Sequence, residues 1–288
     1  MTEDIAPGGP GRRILRIVHL FPDLLSVYGD TGNVRTLVMR AESRGIEVRR
    51  VVLLADAATI PPADLFVIGG GQDRDQVRVG RSLLRVGDAL MREIADGAAL
   101  LAVCGGYQSL GVSHRNALGD TVEGPGILDV TTVAAAGRLI GPVVARLVDP
   151  AMRAGRDTIV GFENHSGRTE LGPRSMPFGR VEAGHGNNDR DGTEGVLELP
   201  GVRGLRGLRI GTYLHGPFLP RNPHVADALL RAGLARAGQP VDLEPLDDAD
   251  EWRAHDLHVA RSRDRGMQRH LPGPLRRLVE PVHSLIGF

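Results

Sequence analysis

The sequence contains no lysine, and all 35 of its lysine-plus-arginine residues are arginine. This absence excludes chemistry that needs a lysine on this chain, such as a P-loop lysine, a pyridoxal Schiff base or a lysine general base. The arginines are balanced by 35 acidic residues, so the net charge is zero. Neutrality argues against a nucleic-acid-binding protein that is held by a basic surface.

Cysteine is almost as scarce, because Cys104 is the single cysteine in the chain. One cysteine forms no internal disulfide and excludes a four-cysteine zinc site. A lone cysteine is compatible with a reducing cytosol, or it is a catalytic nucleophile. No His, Asp or Glu pair has a convincing metal-ligand spacing, so we expect no metal site.

Long apolar runs are also missing. The longest run, residues 98–104, has seven residues, whereas a membrane helix needs about 18. Residues 1–13 are acidic and then rich in glycine and proline, without the apolar core of a secretory signal. We therefore expect a flexible leader, no transmembrane segment and a cytoplasmic location.

The first half of the chain alternates between short apolar segments and amphipathic ones. The apolar segments predict strands and the amphipathic ones predict helices. Strands are predicted at 14–20, 46–54, 64–68 and 98–103, and helices at 31–44 and 80–96. Near-continuous apolar strands that alternate with helices predict an α/β fold with a doubly wound, mostly parallel sheet flanked by helices.

The second half is less regular. Its patterns predict strands at 140–148, 158–162, 196–199 and 208–214, and a helix at 223–237. Beyond Pro240 the composition changes to an acidic cluster followed by an arginine-rich stretch, which predicts a solvated helix with a proline-containing tail. We expect a catalytic-type domain at 14–240 and a C-terminal helical extension at 241–288.

Two glycine-rich turns fall at the carboxyl ends of predicted strands, where parallel sheets bind ligands. They are Gly69-Gly70-Gly71 and Cys104-Gly105-Gly106. A strand, a sharp turn and a helix would present the Cys104 thiol at a helix N-terminus, which favours the thiolate. An arbitrary cysteine is more often a small buried hydrophobe, but the strand-end position and the two glycines favour a nucleophile.

A thiolate nucleophile needs a general base, and the chain has ten histidines. His215 ends a predicted strand, His19 lies inside one, and His165 lies in a polar segment. The remaining candidates are in the polar C-terminal region, namely His255, His258 and His270. Position and spacing alone do not choose among them.

Five segments of the sequence resemble a known protein family, and this resemblance distinguishes one of the histidines from the others. They are VYGDTGNVRTL (27–37), FVIGGGQDRDQ (66–76), AVCGGYQSLG (102–111), VGFENHSGRT (160–169) and GTYLHGPFLPRNP (211–223). They resemble class I glutamine amidotransferases of the cobyric-acid-synthase-like branch, and most closely the glutaminase (GatD-type) subunits of lipid II isoglutaminyl synthases. The resemblance covers roughly residues 14–240 and implies the amidotransferase fold.

The resemblance also implies roles for individual residues. Cys104 matches the nucleophile that attacks the glutamine side-chain amide, and His215 matches the base that protonates the departing ammonia. Arg138 matches an arginine implicated in binding glutamine, for which a guanidinium fork suits the α-carboxylate. By the same analogy, Gly70 and Gly105 would supply backbone donors to the oxyanion.

One departure from the family pattern concerns the group that orients the histidine. The broader family has a glutamate two residues after the histidine, but here His215 is followed by Gly216 and Pro217. Possible substitutes for the missing carboxylate are Asp23, Asp30 and Glu163. The sequence does not rank them.

The resemblance implies a partner, because this chain has no site of its own to activate an acceptor. We expect a heterodimer with a Mur-ligase-like synthetase subunit that binds ATP and magnesium and amidates the D-glutamate of lipid II, with L-glutamine as the nitrogen source. No cofactor is expected on this chain. Two alternatives stay open: an amidotransferase subunit for a cobalamin-type or other carboxylate, and a non-catalytic scaffold. Residues after 240 either dock the partner or form a solvated helix.

Overall fold

A computed structural model of the protein describes residues 13–27, 29–116, 119–199 and 205–269. The predicted leader up to residue 12, His270 and the predicted tail lie outside the described residues. The strands are β1 (Ile14–Leu20), β2 (Glu47–Leu53), β3 (Leu65–Ile68), β4 (Ala99–Val103), β5 (Ser113–Arg115), β6 (Thr121–Glu123), β7 (Val130–Leu147), β8 (Thr158–Leu171), β9 (Gly179–Ala183), β10 (Thr193–Glu194), β11 (Val196–Glu198) and β12 (Arg209–Thr212). The α-helices are α1 (Thr31–Glu42), α2 (Asp73–Ala95), α3 (Gly105–Ser109), α4 (Pro223–Arg236) and α5 (Ala249–Arg269).

The first sheet has the strand order β11-β12-β4-β3-β1-β2. All neighbours in it are parallel except β11, which runs antiparallel to β12. Every residue of β3 and β4 is buried, as their continuous apolar sequences require of central strands with both faces covered. The predicted α/β fold with a mostly parallel sheet flanked by helices is therefore confirmed.

The register of this sheet aligns the ends of its central strands. Ile68 pairs with Ala102, and Val103 pairs with Thr212. The glycine turn after β3, the Cys104 turn after β4 and the segment after β12 therefore leave the sheet at neighbouring points of one edge. Parallel strands place their carboxyl ends together in this way.

Helix α2 begins at Asp73, well before the predicted start at residue 80. Its first turns are polar, so hydrophobic periodicity does not reveal them. The longer helix begins directly after the glycine turn at 69–71. It therefore carries Gln76 to the same edge of the sheet as Cys104.

A second sheet, which the sequence did not predict, has the order β10-β9-β7-β5-β6, with β8 also paired to β7. β7 and β8 form a long antiparallel pair with a register shift between Ala134 and Leu139. Sequence patterns predicted only the ends of these two strands. Most residues between these two positions are small and exposed, and they have no alternating pattern to mark a strand.

Helix α5 packs on the second sheet, touching β7, β8 and β9. His255 is fully buried, with Nε2 2.9 Å from the Thr158 hydroxyl and Nδ1 2.8 Å from the Arg221 carbonyl oxygen. The predicted helix is present, but the expectation that it is solvated holds only for its outer face. Within the described residues, no helix is long and apolar enough to cross a membrane.

Candidate active site

Cys104 lies in a sharp turn between β4 and α3. Its φ of +47° and ψ of −105° are values that a residue with a side chain rarely adopts. Gly106 makes the turn possible, since a Cβ there would lie 2.8 Å from both the Gly69 carbonyl oxygen and the Ile68 side chain. The strand-turn-helix geometry predicted from the sequence is therefore present.

His215 lies beside Cys104, although the two are far apart in the sequence. The Cys104 amide donates to the Thr212 carbonyl at 2.8 Å, which fixes the end of β12 against the turn. The backbone of His215 is held from the other side by Phe162 on β8, through N–H···O bonds of 2.9 and 3.2 Å. These contacts fix the histidine backbone at the carboxyl edge of the sheet.

The backbone of Gly70 lies close to both candidate catalytic side chains. A Cβ at Gly70 would lie 2.6 Å from His215 Cε1 and 3.1 Å from Cys104 Cβ. A side chain at this position would displace the imidazole, so glycine is required by close approach and not by φ. This contact explains why a glycine turn follows β3.

The charge state of His215 follows from its neighbours. Burial lowers the pKa of its imidazole, but the Cys104 sulfur and the Asp30 carboxylate outweigh burial and raise the pKa to about 10. A protonated imidazole beside the sulfur would stabilise negative charge that develops on that sulfur. Only 5% of Cys104 and 2% of His215 is exposed, so both side chains lie largely below the protein surface.

Asp30 is the acidic residue that adjoins this pair. It is fully buried at the start of α1, where its Oδ2 accepts the Gly70 N–H at 2.8 Å. Its Oδ1 lies 3.9 Å from His215 Nδ1. The other two acids proposed from the sequence are held elsewhere, since Asp23 accepts the Ala55 amide and Glu163 accepts the amides of His185 and Gly186.

The backbone amides predicted to donate to the oxyanion differ in whether their N–H groups are already hydrogen-bonded. Because the Gly70 amide already donates to Asp30, its predicted role requires that bond to break. The amides of Gly71 and Gly105 have no hydrogen-bond acceptor among the described residues. They are also adjacent, since a Cβ at Gly105 would lie 3.2 Å from Gly71 N. The roles of Gly70 and Gly105 stay predictions, with Gly71 as an added candidate.

The other described candidate histidines have surroundings of their own. His165 stacks on Tyr213, with ring centroids 3.5 Å apart, and its Nδ1 is 2.8 Å from the Gly167 carbonyl oxygen. Burial lowers the pKa of His19 to about 4. His255 and His258 belong to α5. The geometry therefore singles out His215.

Arg138 lies at the shifted register of β7, with an exposed side chain. Its guanidinium is fixed by two 2.7 Å hydrogen bonds to Asn164, one to the side-chain oxygen and one to the backbone carbonyl. Asn164 is two residues from Phe162, whose backbone pairs with His215. Strand β8 therefore links the arginine to the histidine, and the role of Arg138 in binding glutamine stays a prediction.

A buried chain of polar side chains below the turn was not identified from the sequence. Gln76 donates to Gln108 at 2.6 Å, Gln108 donates to the Tyr213 hydroxyl at 3.0 Å, and hydroxyl contacts of 2.6 and 2.7 Å continue through Thr169 to Thr132. Apart from Thr132, each member lies in one of the five segments that carried the resemblance. Their place in those segments was the signal available in the sequence.

Comparison with known proteins agrees with this geometry. Residues 16–223 match the family profile described as a CobB/CobQ-like glutamine amidotransferase domain. The chain belongs to this family.

Three named relatives match half of this chain or more. The Staphylococcus aureus protein named lipid II isoglutaminyl synthase (glutamine-hydrolyzing) subunit GatD is 38% identical over 251 residues, which is 86% of this chain and 96% of that protein. The Streptococcus pneumoniae protein of the same name is 34% identical over 81% of this chain and 86% of its own length. Cobyric acid synthase from Sphingopyxis alaskensis is 34% identical over 50% of this chain but only 26% of its own length.

Proposed function

We propose that this chain is the glutamine-hydrolysing subunit of a lipid II isoglutaminyl synthase. The observation that carries the proposal is the convergence of Cys104, His215 and Gly70 at one edge of the sheet. It is supported by two GatD relatives that match at 38% and 34% identity over most of both chains. The cobyric acid synthase match covers half of this chain, and so favours the cobalamin-type alternative less.

In the proposed reaction, the Cys104 thiolate attacks the carbonyl carbon of the glutamine side-chain amide. The C–N bond breaks as His215 gives its proton to the departing nitrogen, which leaves as ammonia. A thioester between Cys104 and the glutamyl group remains. His215 then takes a proton from water, whose oxygen attacks the thioester and releases glutamate, and this restores the thiolate–imidazolium pair.

The negative oxygen that forms in both steps needs preorganised donors. The adjacent amides of Gly71 and Gly105 are suited to this role, because their hydrogens have no acceptor among the described residues. Arg138, fixed by Asn164, would bind the α-carboxylate of glutamine with its outward-facing guanidinium. These assignments place the scissile amide next to Cys104 and the amino-acid end towards β7.

The ammonia is used on a second chain. A Mur-ligase-like synthetase subunit would bind ATP and magnesium and activate the D-glutamate α-carboxylate in the stem peptide of lipid II. Ammonia then converts this residue to D-isoglutamine for peptidoglycan synthesis. The heterodimer would act in the cytoplasm, at the membrane face that carries lipid II.

The test uses the chain co-expressed with its ligase partner, with lipid II, ATP and magnesium, and reads glutamate release and lipid II amidation separately. The wild type should amidate lipid II with either glutamine or ammonium chloride. Cys104→Ala should lose glutamine hydrolysis by at least about 10³-fold and still amidate with ammonium, because the ligase does not need the sulfur.

Each other outcome points to a different function. Hydrolysis of glutamine by Cys104→Ala would exclude the cysteine mechanism. A wild-type complex that never releases glutamate would identify a non-catalytic scaffold. Glutamate release coupled to a corrin carboxylate, with lipid II unchanged, would identify the cobalamin-type amidotransferase.

A further inference from the structure

Asp30 and His215 form a buried acid–imidazole pair. The family pattern of a glutamate two residues after the histidine does not predict this pair. Asp30 is fully buried, and its Oδ1 has no hydrogen-bond donor among the described residues. A carboxylate oxygen left without a donor in the protein interior is costly unless a positive charge lies nearby. The nearest such group is the His215 ring, with Nδ1 3.9 Å away.

The second oxygen of Asp30 keeps the carboxylate in place. Oδ2 accepts the Gly70 N–H at 2.8 Å, and a Cβ at Gly69 would lie 2.6 Å from Asp30 Cβ. The two glycines therefore allow α1 to bring its first acid up to the turn. Gly70 also lies close to the ring at Cε1, the carbon next to Nδ1, so the carboxylate and the glycine both pack against the Nδ1 side of the imidazole.

Other charged groups around His215 do not take this place. Glu194 is buried, but one of its oxygens accepts the Thr212 hydroxyl and the Tyr213 amide at 2.6 and 3.0 Å. Burial raises the pKa of Glu194 to about 7, which weakens it as an anion at neutral pH. Glu163 lies 3.7 Å from the His165 ring. On the cationic side, the Arg221 guanidinium lies close to Gly216.

We propose that Asp30 is the positioning residue for His215, taking over the role of the glutamate that is missing after the histidine. It binds Nδ1 and thereby leaves Nε2 to exchange the proton with Cys104 and the departing ammonia. Its separation of 3.9 Å is an ion-pair distance, and we expect it to shorten to a hydrogen bond when glutamine binds. The role proposed for Asp30 depends on the proposed glutaminase function. The titration that tests it does not.

The test compares the wild type with Asp30→Asn, a substitution that keeps an oxygen for the Gly70 amide and removes the charge. Histidine ring nitrogens are followed by NMR against pH in the full-length chain. The His215 signal is assigned by its loss in His215→Gln. The pH at which His215 loses its proton should fall by at least about one unit in Asp30→Asn, because an opposite charge within about 4–6 Å stabilises the protonated ring.

Glu163→Gln is the matched control, because it removes a buried carboxylate that lies beside a different histidine. It should leave the His215 titration unchanged. In the complex, kcat for glutamine hydrolysis by Asp30→Asn should fall at least about tenfold with little change in KM. A His215 midpoint that does not move in a folded Asp30→Asn protein overturns the proposal.

If Asp30→Asn does not fold, a measurement on the wild type still tests the proposal. A carboxylate at Nδ1 requires that neutral His215 carries its proton on Nδ1, which nitrogen chemical shifts report directly. A neutral ring protonated on Nε2 overturns the proposal. These ring measurements need neither a partner nor glutaminase activity, so they separate a failure of this inference from a failure of the proposed function.

Discussion

Cys104 has a backbone conformation that its own side chain disfavours. Positive φ in a residue other than glycine costs about 1–3 kcal/mol and persists only where the surroundings enforce it. Here the surroundings are two hydrogen bonds, in which the Cys104 amide donates to Thr212 and its carbonyl accepts the Gln108 amide at 3.0 Å. The turn therefore presents a sulfur at the sheet edge at the expense of stability.

We predict that Cys104→Gly is more stable than Cys104→Ala by about 1 kcal/mol, because glycine relieves the strain and alanine keeps the Cβ. Thermal unfolding of the two variants measures the difference, which should amount to about 2–4 °C. Ala235→Gly in the last turn of α4 is the control. Glycine is normally less stable than alanine in a helix, so this variant should be destabilised. A Cys104→Ala protein that melts above Cys104→Gly would show that the turn is unstrained.

The sequence identifies the candidate site residues more readily than the side chains that surround them. Cys104 and Gly70 stand in motifs whose composition already suggests a turn. Asp30 is one of three acids of equal standing in the sequence, and only the pairing of strands brings it to His215. The Gln76 to Thr132 chain was missed because a buried polar contact between distant segments leaves no local pattern.

Helix α5 docks through histidines, which explains why its packing was not expected. Trp252 lies between His224 and His255, at ring-centroid distances of 5.3 and 5.6 Å, and the Arg156 guanidinium is 4.9 Å from its ring. Polar residues such as histidine predict an exposed face, but here burial keeps them neutral. Burial lowers the pKa of His224 to about 3 and that of His258 to about 4.

The stability of this helix contact should therefore depend on pH. The pKa of His224 falls to about 3 in the folded protein from an ordinary value of 6.5. As the pH falls below 6.5, His224 binds a proton in the unfolded chain but not in the folded chain. The free energy of unfolding should then decrease by about 1.4 kcal/mol per pH unit for His224 alone, down towards pH 4.

Trp252 is the single tryptophan, so its fluorescence reports this contact during urea unfolding at pH 7.5 and pH 5. His224→Phe keeps an aromatic ring and removes the titration, so its stability should fall less between the two pH values. Equal losses in the wild type and His224→Phe would contradict a neutral buried His224.

The two sheets differ in how well sequence patterns predict their strands. β1 lies where its sequence predicts it, and β3 and β4 begin one residue later than predicted. β3 and β4 could be located closely because a strand buried on both faces needs apolar residues throughout. β7 and β8 are partly exposed and interrupted by a register shift. Their stability comes from pairing with each other, which no window along one strand can reveal.

Across the whole molecule, a buried ion-pair cluster connects the C-terminal segment to the helix that begins after Asp30. Arg40 on α1 binds Asp227 of α4 at 2.8 Å and Asp248, just before α5, at 2.5 Å. Arg44 binds the other oxygen of Asp227 at 2.8 Å. The 241–248 connection is thus fixed to the domain, which makes α5 part of the same packed structure.

Asp227→Ala tests whether this cluster holds the molecule together. The side chains of Arg40 and Arg44 are only 7% and 1% exposed, so removing their shared acid leaves buried guanidinium groups with fewer partners. We expect a loss of about 3 kcal/mol in the free energy of unfolding. Glu170→Ala, which removes an exposed partner of Arg190, should cost no more than about 0.5 kcal/mol. Similar losses in both variants by urea unfolding would mean that the cluster contributes no more than a surface ion pair.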